Sequence, residues 1–242
     1  MADKSVEALQ RIERWLEEHP DSFVTFSGGK DSTVVLHLLK QVQPNPRIAF
    51  FDSGLLFKQT YSFVKLIQKR WNVEVSYITT SPSPLDVFED SGLWEPGKEK
   101  RSVNVRRVLI DNYLDKAREH FDTCYSIYGL HADESEARRF LLNRTKGYVY
   151  THDRKGNRKS GSLAPIWDWT TKDVNSYIVQ NKLPLNTAYR KLRELGVPAD
   201  RRRTGVVLGD GIHLGDWAMN YQVDPSLGNV IESRFPMLQG FR

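Results

Sequence analysis

The sequence predicts an α/β protein whose core is a doubly wound, mostly parallel sheet of about five strands flanked by helices. Three observations predict this fold class. Apolar and β-branched runs alternate with stretches of helical periodicity along most of the chain. The run at 22–26 passes into two adjacent glycines and then a helix, which makes a strand, a tight turn and a helix in succession. Further strands follow further helices, and such alternation is typical of parallel sheets.

The predicted elements divide the chain into an α/β domain and an extension. The predicted helices cover 5–18, 31–42, 57–71 and 103–120, and a fifth opens near Thr170. The predicted strands cover 22–26, 47–51, 73–78 and 123–128, followed by a hairpin over 148–166 with its turn at 155–157. We expect one domain over 1–195 and an irregular C-terminal extension over 196–242, packed on the domain or contacting a substrate or partner.

The composition is that of an ordinary globular protein. Of the 242 residues, 39% are hydrophobic and 27% are charged. No stretch approaches the roughly 20 apolar residues of a membrane span, and the first residues enter an amphipathic helix without the apolar core of a signal peptide. We therefore expect a cytoplasmic protein that makes no membrane contact.

Charge and cysteine content narrow the classes of ligand. The formal net charge of +5 suits polyanionic ligands, from nucleotides to nucleic acid. Cys124 is the single cysteine, so the chain by itself can hold neither a disulfide nor a cysteine-ligated zinc or iron–sulfur centre. The six histidines show no H-E-x-x-H spacing. These observations argue against zinc, iron–sulfur and other transition-metal centres.

The strongest motif is Ser-Gly-Gly-Lys-Asp-Ser at 27–32, between the first strand and its helix. Adjacent glycines let the backbone bend sharply and leave its N–H groups bare, and the positive end of the helix dipole adds to this anion site. Lys30 supplies a cation, and Ser27 and Ser32 supply hydroxyl donors. The spacing differs from both the Walker loop and G-x-G-x-x-G. A bound phosphate or pyrophosphate is favoured over a plain glycine turn with a solvated lysine.

A second candidate segment lies at the end of the second predicted strand. Asp52 is followed there by Ser53 and Gly54. Open α/β sheets bind ligands at the carboxyl ends of their strands, so Asp52 could bind a ribose or adenine or hold Mg²⁺. The alternative is an Asx turn or a helix cap, which these residues would also serve.

A third candidate segment, 129–139, follows the fourth predicted strand. A glycine after a strand allows the close approach of a ligand. A helix is predicted to begin before Ser135, which would place that hydroxyl on one face with Arg138 and Arg139. Arginines in this position suit contact with phosphate or sulfate. His131 either contributes to the site or is a loop histidine bonded to the backbone.

The string at 27–32 resembles the pyrophosphate-binding loop of the ATP-pyrophosphatase superfamily, whose members share a Rossmann-like, HUP-type fold. It is most similar to the phosphoadenylylsulfate (PAPS) reductase family, which also includes the small subunit of bacterial sulfate adenylyltransferase and the FAD synthetases. The segments after the second and fourth strands resemble further motifs of this family, with His131 where an arginine is usual. The stretch 165–189 resembles its third signature.

The resemblance implies a site for ATP or a related adenine nucleotide, including PAPS and adenylylsulfate (APS), with Mg²⁺ held in part by Asp31. The implied nucleotide-binding residues are Ser27, Gly28, Gly29, Lys30, Asp31, Ser32, Asp52, Ser53, Gly54, Gly129, His131 and Ser135. The implied catalytic residues are Lys30, Arg138 and Arg139. Two basic segments, 98–101 and 201–203, are either solvated or approach a substrate.

The reaction implied by the resemblance depends on whether a thiol is present. Sulfonucleotide reductases of this family use a cysteine near the C-terminus to attack sulfur, and no cysteine follows Cys124. Cys124 is expected to pack within a strand, where buried thiols are usually inert. We therefore predict attack on the α-phosphorus of ATP with release of pyrophosphate, by adenylyl transfer or hydrolysis. Lys30 and Mg²⁺ would stabilise charge on the leaving group.

Two alternatives stay open. The first is a PAPS or APS reductase that borrows its thiol from another molecule. The second is a non-catalytic nucleotide-binding subunit of a larger assembly, which the basic C-terminal segment would allow to act on nucleic acid. A small-molecule nucleotide is the expected substrate, and a protein partner or a homo-oligomer is compatible with each hypothesis.

Overall fold

A mostly parallel six-stranded sheet flanked by helices forms the framework of the computed structural model, which describes residues 2–92, 105–152, 159–206 and 216–242. The strands are β1 (Phe23–Thr25), β2 (Arg47–Phe51), β3 (Ser76–Ile78), β4 (Tyr125–Ile127), β5 (Tyr148–His152) and β6 (Lys159–Leu163). The α-helices are α1 (Ala2–Glu18), α2 (Lys30–Val42), α3 (Lys58–Trp71), α4 (Pro84–Ser91), α5 (Val105–Phe121), α6 (Glu136–Thr145), α7 (Thr171–Gln180), α8 (Ala188–Glu194), α9 (Asp216–Val223) and α10 (Pro225–Arg234). The predicted fold class is confirmed.

The order of the strands across the sheet is β3-β2-β1-β4-β6-β5. Strand β1 pairs in parallel with β2 on one side and with β4 on the other, and β4 pairs in parallel with β6. The chain thus winds outward from β1 to β3 and returns to β4 on the opposite side. This reversal makes a topological switch point between β1 and β4, and ligands of open α/β sheets bind at the carboxyl ends of strands at such a point.

The described residues form two compact units. The first unit comprises Met1–Phe51, Ile67–Tyr77 and Ala117–Leu185, and the second comprises Asp52–Leu66, Ile78–Lys116 and Asn186–Arg242. The division differs from the domain boundary near residue 195, which stays a prediction. None of the helices within the described ranges is long and apolar enough to cross a membrane.

The core of the first unit lies around the sheet. Phe23 and Val24 of β1 are fully buried, as expected for a central strand with helices on both faces. Helix α1 joins this core through Trp15, whose Nε1 donates a hydrogen bond of 2.8 Å to the buried hydroxyl of Ser22. The guanidinium of Arg11 also holds α1 in place, because it binds both carboxylate oxygens of Asp168 at 2.7 and 2.8 Å.

The core of the second unit is built from helices. One of its clusters of buried side chains consists of Leu55, Phe88, Trp217, Ile231, Phe235 and Leu238. The indole Nε1 of Trp217 donates a hydrogen bond of 3.0 Å to the buried carboxylate of Glu232, so burial leaves neither polar group unpaired. The sequence predicted an irregular extension over 196–242, whereas the structure has the two helices α9 and α10 in this part of the chain.

Several boundaries differ from the prediction because hydrogen bonds, not periodicity, set them. Helix α4 is absent from the predicted elements, and it begins at a reciprocal capping box between Ser83 and Asp86. Strands β5 and β6 confirm the predicted hairpin. Its turn at 155–157, the basic segment 98–101 and the glycine-containing loop 209–215 lie outside the described residues.

Candidate functional site

The loop at 27–32 joins the carboxyl end of β1 to the first turn of α2. Gly28 has a φ of +70°, a backbone conformation that residues with a side chain rarely adopt. Gly29 is the N-cap of α2, and no side chain caps the helix there. The amino end of α2 therefore lies next to the switch point without a side-chain cap at Gly29, which is compatible with an anion site.

The two serines of the loop bond to each other and to the loop backbone. The Ser27 and Ser32 hydroxyl oxygens are 3.1 Å apart, and Ser32 Oγ donates to the carbonyl oxygen of Gly29 at 3.0 Å. The amide of Gly29 donates to Ser27 Oγ at 3.3 Å. These hydroxyls thus hold the turn in shape. Their predicted contact with a nucleotide stays a prediction.

Lys30 and Asp31 form an ion pair on the first turn of α2. The Lys30 ammonium lies 2.8 and 3.0 Å from the two carboxylate oxygens of Asp31, and both side chains are half-buried. Burial opposes ionisation of Asp31, but the His131 side chain and the Lys30 ammonium outweigh it and keep the pKa of this carboxyl below its ordinary value. The predicted roles of Lys30 with phosphate and of Asp31 with magnesium stay predictions.

Gly129 packs directly against this first turn. A Cβ atom at Gly129 would lie 2.6 Å from the backbone nitrogen of Ser32 and 2.8 Å from the carbonyl carbon of Asp31. Both distances are far shorter than real contacts, so a glycine is required here. The predicted reason was the approach of a ligand, whereas the close neighbour in the structure is the backbone of α2.

His131 is the most deeply buried polar residue of the segment that follows β4, with an exposed fraction of 0%. Its Nε2 lies 3.3 Å from Oδ1 of Asp31. The ring is not aligned for a hydrogen bond, and neither ring nitrogen has a hydrogen-bond partner among the described residues. The alternative of a ring bonded to the backbone is therefore not observed, and the ring instead faces the carboxylate beside the loop.

Glu134 connects His131 to the helix that follows. Its Oε2 accepts a hydrogen bond of 3.2 Å from the backbone nitrogen of His131 and lies 2.6 Å from Nη1 of Arg138. A 3₁₀ turn over Ala132–Glu134 precedes α6, and Ser135 caps α6 by accepting a bond of 3.3 Å from the backbone nitrogen of Arg138. The helix therefore begins later than predicted, and Ser135 stands at its cap, not on a helical face.

The two arginines of this segment differ in their surroundings. Arg138 is half-buried in its ion pair with Glu134, whereas Arg139 is exposed. Sequence reasoning named both arginines but missed Glu134. Glu134 lies three residues after His131. In a short turn, a side chain at that distance can accept a hydrogen bond from the backbone of the turn's first residue, and this spacing could have predicted the contact.

Asp52, Ser53 and Gly54 belong to the second unit. Oδ1 of Asp52 accepts hydrogen bonds from the hydroxyl of Tyr61 at 2.5 Å and from the backbone nitrogen of Gly54 at 3.1 Å. Ser53 Oγ accepts from the backbone nitrogen of Leu55 at 3.1 Å. The Asx turn that the sequence left as an alternative is thus present, and the role of these residues in binding stays a prediction.

The single cysteine lies at the opposite edge of the sheet from the loop. Cys124 immediately precedes β4, whose Ser126 and Ile127 pair with Phe23 and Val24 of β1. The chain advances roughly 16 Å from Cys124 to Gly129 at the usual rise of a strand. Two surface cavities of about 640 and 410 Å³ also lie at this amino edge, lined by the residues that begin β2, β3 and β4.

A glycine turn that leads into a helix at the switch point of a parallel sheet is typical of nucleotide-binding α/β proteins. The chain belongs to one family within that class, because the model of the phosphoadenosine phosphosulfate reductase domain matches residues 21–215. This range contains both the loop and the segment 129–139.

Curated relatives and a solved structure agree with this assignment. The chain is 27% identical over 212 residues to a phosphoadenosine 5'-phosphosulfate reductase of Alteromonas mediterranea, covering 87% of this chain and 74% of that protein. It is 26% identical over 226 residues to an adenosine 5'-phosphosulfate reductase of Bacillus mycoides, covering 89% and 88%. The fold resembles that of the PAPS reductase from Candida auris, with a TM-score of 0.52, 18% identity and coverage of 79% and 86%.

These relatives correct the predicted reaction. Cleavage of ATP at the α-phosphate with release of pyrophosphate was the expected chemistry, and that prediction is wrong. The curated relatives are named as reductases of PAPS and APS, which supports the reductase that the sequence left as an alternative. The error came from treating the missing late cysteine as evidence against the whole reaction, although a thiol need not belong to the same chain.

Proposed function

We propose that this chain is a sulfonucleotide reductase that binds PAPS or APS and presents its sulfate group to a thiol supplied by another molecule. The observation that carries the proposal is the family match over residues 21–215, which includes the anion-binding loop. The names of the curated relatives support reduction of a sulfonucleotide as the reaction.

The proposed reaction has two steps, and the electrons come from a dithiol. A thiolate attacks the sulfur of the sulfate group, and the bond between that sulfur and the bridging phosphate oxygen breaks. The nucleotide leaves as AMP or its 3'-phosphate and takes up a proton, while the sulfo group remains on the attacking thiol. The second thiol of the donor then attacks the first thiol's sulfur, releasing sulfite and forming a disulfide.

The loop at 27–32 is the proposed site of the nucleotide's phosphate. The helix dipole and the absence of a side-chain cap at Gly29 favour a bound anion at the start of α2. Lys30 is the nearest cation in this loop, and on binding its ammonium transfers from Asp31 to a phosphate oxygen. Arg138 is half-buried in the segment that follows Gly129, and we propose it as the partner of a second anionic group.

The thiol must come from outside these 242 residues because the single cysteine is misplaced for the reaction. Cys124 lies before the first residue of β4, at the amino edge of the sheet, and the loop lies at the carboxyl edge. A separation of roughly 16 Å along the strand prevents direct attack on a sulfate bound near the loop. A dithiol protein or a small dithiol is the class of donor that the chemistry requires.

The test is a sulfite assay with PAPS and with APS, each with and without a dithiol such as dithiothreitol or reduced thioredoxin. We expect sulfite and nucleotide in equal amounts from one of the two substrates, and only when the dithiol is present. Absence of sulfite from both substrates in the presence of both donors would overturn the proposal. Binding of the nucleotide without sulfite would instead favour the non-catalytic subunit.

Matched variants locate the chemistry. Lys30→Ala should abolish saturable binding of the sulfonucleotide, because the loop loses its cation. Lys40→Ala is the control, since Lys40 lies in the last turn of the same helix and bonds to the carbonyl oxygen of Pro44. Cys124→Ser should leave the yield of sulfite unchanged, and a loss of sulfite in this variant would refute the external thiol.

A further inference from the structure

A buried imidazole without a hydrogen bond is the least satisfied polar group near the loop. His131 is fully buried, and both of its ring nitrogens lack a hydrogen-bond partner among the residues that the structure describes. Buried polar groups are nearly always paired, because burial removes their bonds to water. His131 contacts the Asp31 carboxylate at 3.3 Å but makes no hydrogen bond with it, so a ring nitrogen is available to a ligand that the chain itself does not supply.

Two carboxylates lie close enough to complete a ligand set with this imidazole. Asp31, His131 and Glu134 each offer one ligand atom, and the three atoms lie within 4.8 Å of one another. The shortest separation is 3.3 Å, between Nε2 of His131 and Oδ1 of Asp31. Two ligands of one ion, each about 2.1 Å from it, are separated by about 3 to 4 Å, so only small movements would bring all three atoms to one metal.

The ligand types indicate the class of metal. Carboxylates alone suit Mg²⁺ and Ca²⁺, whereas imidazole suits zinc and its neighbours in the first transition row. We propose that Asp31, His131 and Glu134 form a binding site for a single divalent transition-metal ion of the Zn²⁺ and Co²⁺ class. The sequence argued against such a metal because the chain has a single cysteine and its histidines lack H-E-x-x-H spacing. A set that joins residues 31 and 131 escapes that reasoning, because their proximity depends on the pairing of β1 with β4.

The two cations beside the carboxylates set the condition for binding. Lys30 binds both oxygens of Asp31, and Arg138 binds Glu134, so the carboxylates are neutralised when no metal is bound. A metal ion takes the place of these two cations. Lys30 is also the proposed phosphate ligand, so a bound phosphate group draws the ammonium away from Asp31 and strengthens metal binding.

The metal site does not depend on which sulfonucleotide, if any, the chain reduces, and its test uses no nucleotide. The metal-free chain carrying Cys124→Ser, which removes the single thiol, is titrated with Zn²⁺ by calorimetry and with Co²⁺ by visible absorption. We expect saturation at one ion per chain and a cobalt spectrum typical of nitrogen and oxygen ligands. Mg²⁺ should not displace the bound ion. No saturable binding of Zn²⁺ or Co²⁺ would overturn the site.

Variants distinguish this site from adventitious binding. His131→Ala and Glu134→Gln should each weaken binding by about a hundredfold or more, because losing a direct ligand costs at least as much as losing a residue that supports one. Glu134→Gln keeps the size of the side chain and tests the site even if His131→Ala fails to fold. His120→Ala removes an exposed histidine at the end of α5 and should leave binding unchanged. Equal affinity in the Glu134→Gln and His120→Ala chains would refute the ligand set.

Discussion

A single methyl group at Gly129 should disrupt the loop that is proposed to bind phosphate. The Cβ atom of alanine at this position would lie 2.6 Å from the backbone nitrogen of Ser32, and 2.8 Å from both the Ser32 Cα atom and the Asp31 carbonyl carbon. All three neighbours are backbone atoms of the first turn of α2, so no side-chain rotation relieves the overlap. The strand end and the helix must therefore move apart.

The size of the effect follows from the cost of forcing extra atoms into a packed interior. Such overpacking costs about 1 to 3 kcal/mol. For a chain of this length that corresponds to a fall in Tm of about 2 to 12 °C. The same movement displaces the first turn of α2, and a shift of about 1 Å in a binding group can lower a reaction rate by about a hundredfold. Both the Tm and the sulfite rate should therefore fall.

Two other glycines provide matched controls for scanning calorimetry and the sulfite assay. At Gly240 a Cβ atom would meet nothing within 4 Å, so Gly240→Ala should change stability by no more than about 0.5 kcal/mol. At Gly196 the space is also open but φ is +76°, so alanine there should cost about 1 kcal/mol without affecting the loop. If Gly129→Ala were as stable and as active as Gly240→Ala, the inferred packing of the loop would be wrong.

The remaining predictions concern hydrogen-bonded carboxylates in each unit. Burial works against ionisation of Asp173, but the bonds that Lys4 and Thr170 donate to its carboxylate outweigh burial and lower its pKa to about 2. Its stabilisation is therefore present above its ordinary pKa of 3.8 and is lost as pH falls toward 2. Asp173→Asn should lower the free energy of unfolding by about 1 kcal/mol near neutral pH. Thermal unfolding should show this difference disappear in acid. A difference that persists in acid would contradict the lowered pKa of Asp173. Tyr61→Phe removes the 2.5 Å bond to Asp52 and should cost about 1.5 to 3 kcal/mol in denaturant unfolding, because the acceptor is a carboxylate; an unchanged midpoint would contradict this.

Local chemistry explains why the loop could be predicted from sequence. The turn needs a positive φ at Gly28. The helix that follows begins after Gly29, an N-cap residue without a side chain. Both requirements are met by neighbours in the chain, so a short motif is enough to predict them. The Asx turn at Asp52 is similarly local, and the sequence left it as an open alternative.

Contacts between distant residues explain what the sequence left out. His131 was named as a candidate, but its burial beside Asp31 depends on two strands that pair only through Phe23–Ser126 and Val24–Ile127. The sequence pattern of so short a strand does not indicate which strand lies beside it in the sheet. The reaction was predicted incorrectly for a related reason, because the absence of a late cysteine from this chain does not exclude a thiol that another molecule supplies.

By itself the sequence determined the fold class, the glycine turn between strand and helix at 27–32 and the family resemblance, since each rests on neighbouring residues. Only the tertiary structure decided that Gly129 must be a glycine, because the backbone of α2 occupies the space of its side chain. It also decided that Cys124 lies at the edge of the sheet opposite the loop. Finally, it brought His131 to the carboxylate of Asp31, because parallel strands place their carboxyl ends at one edge.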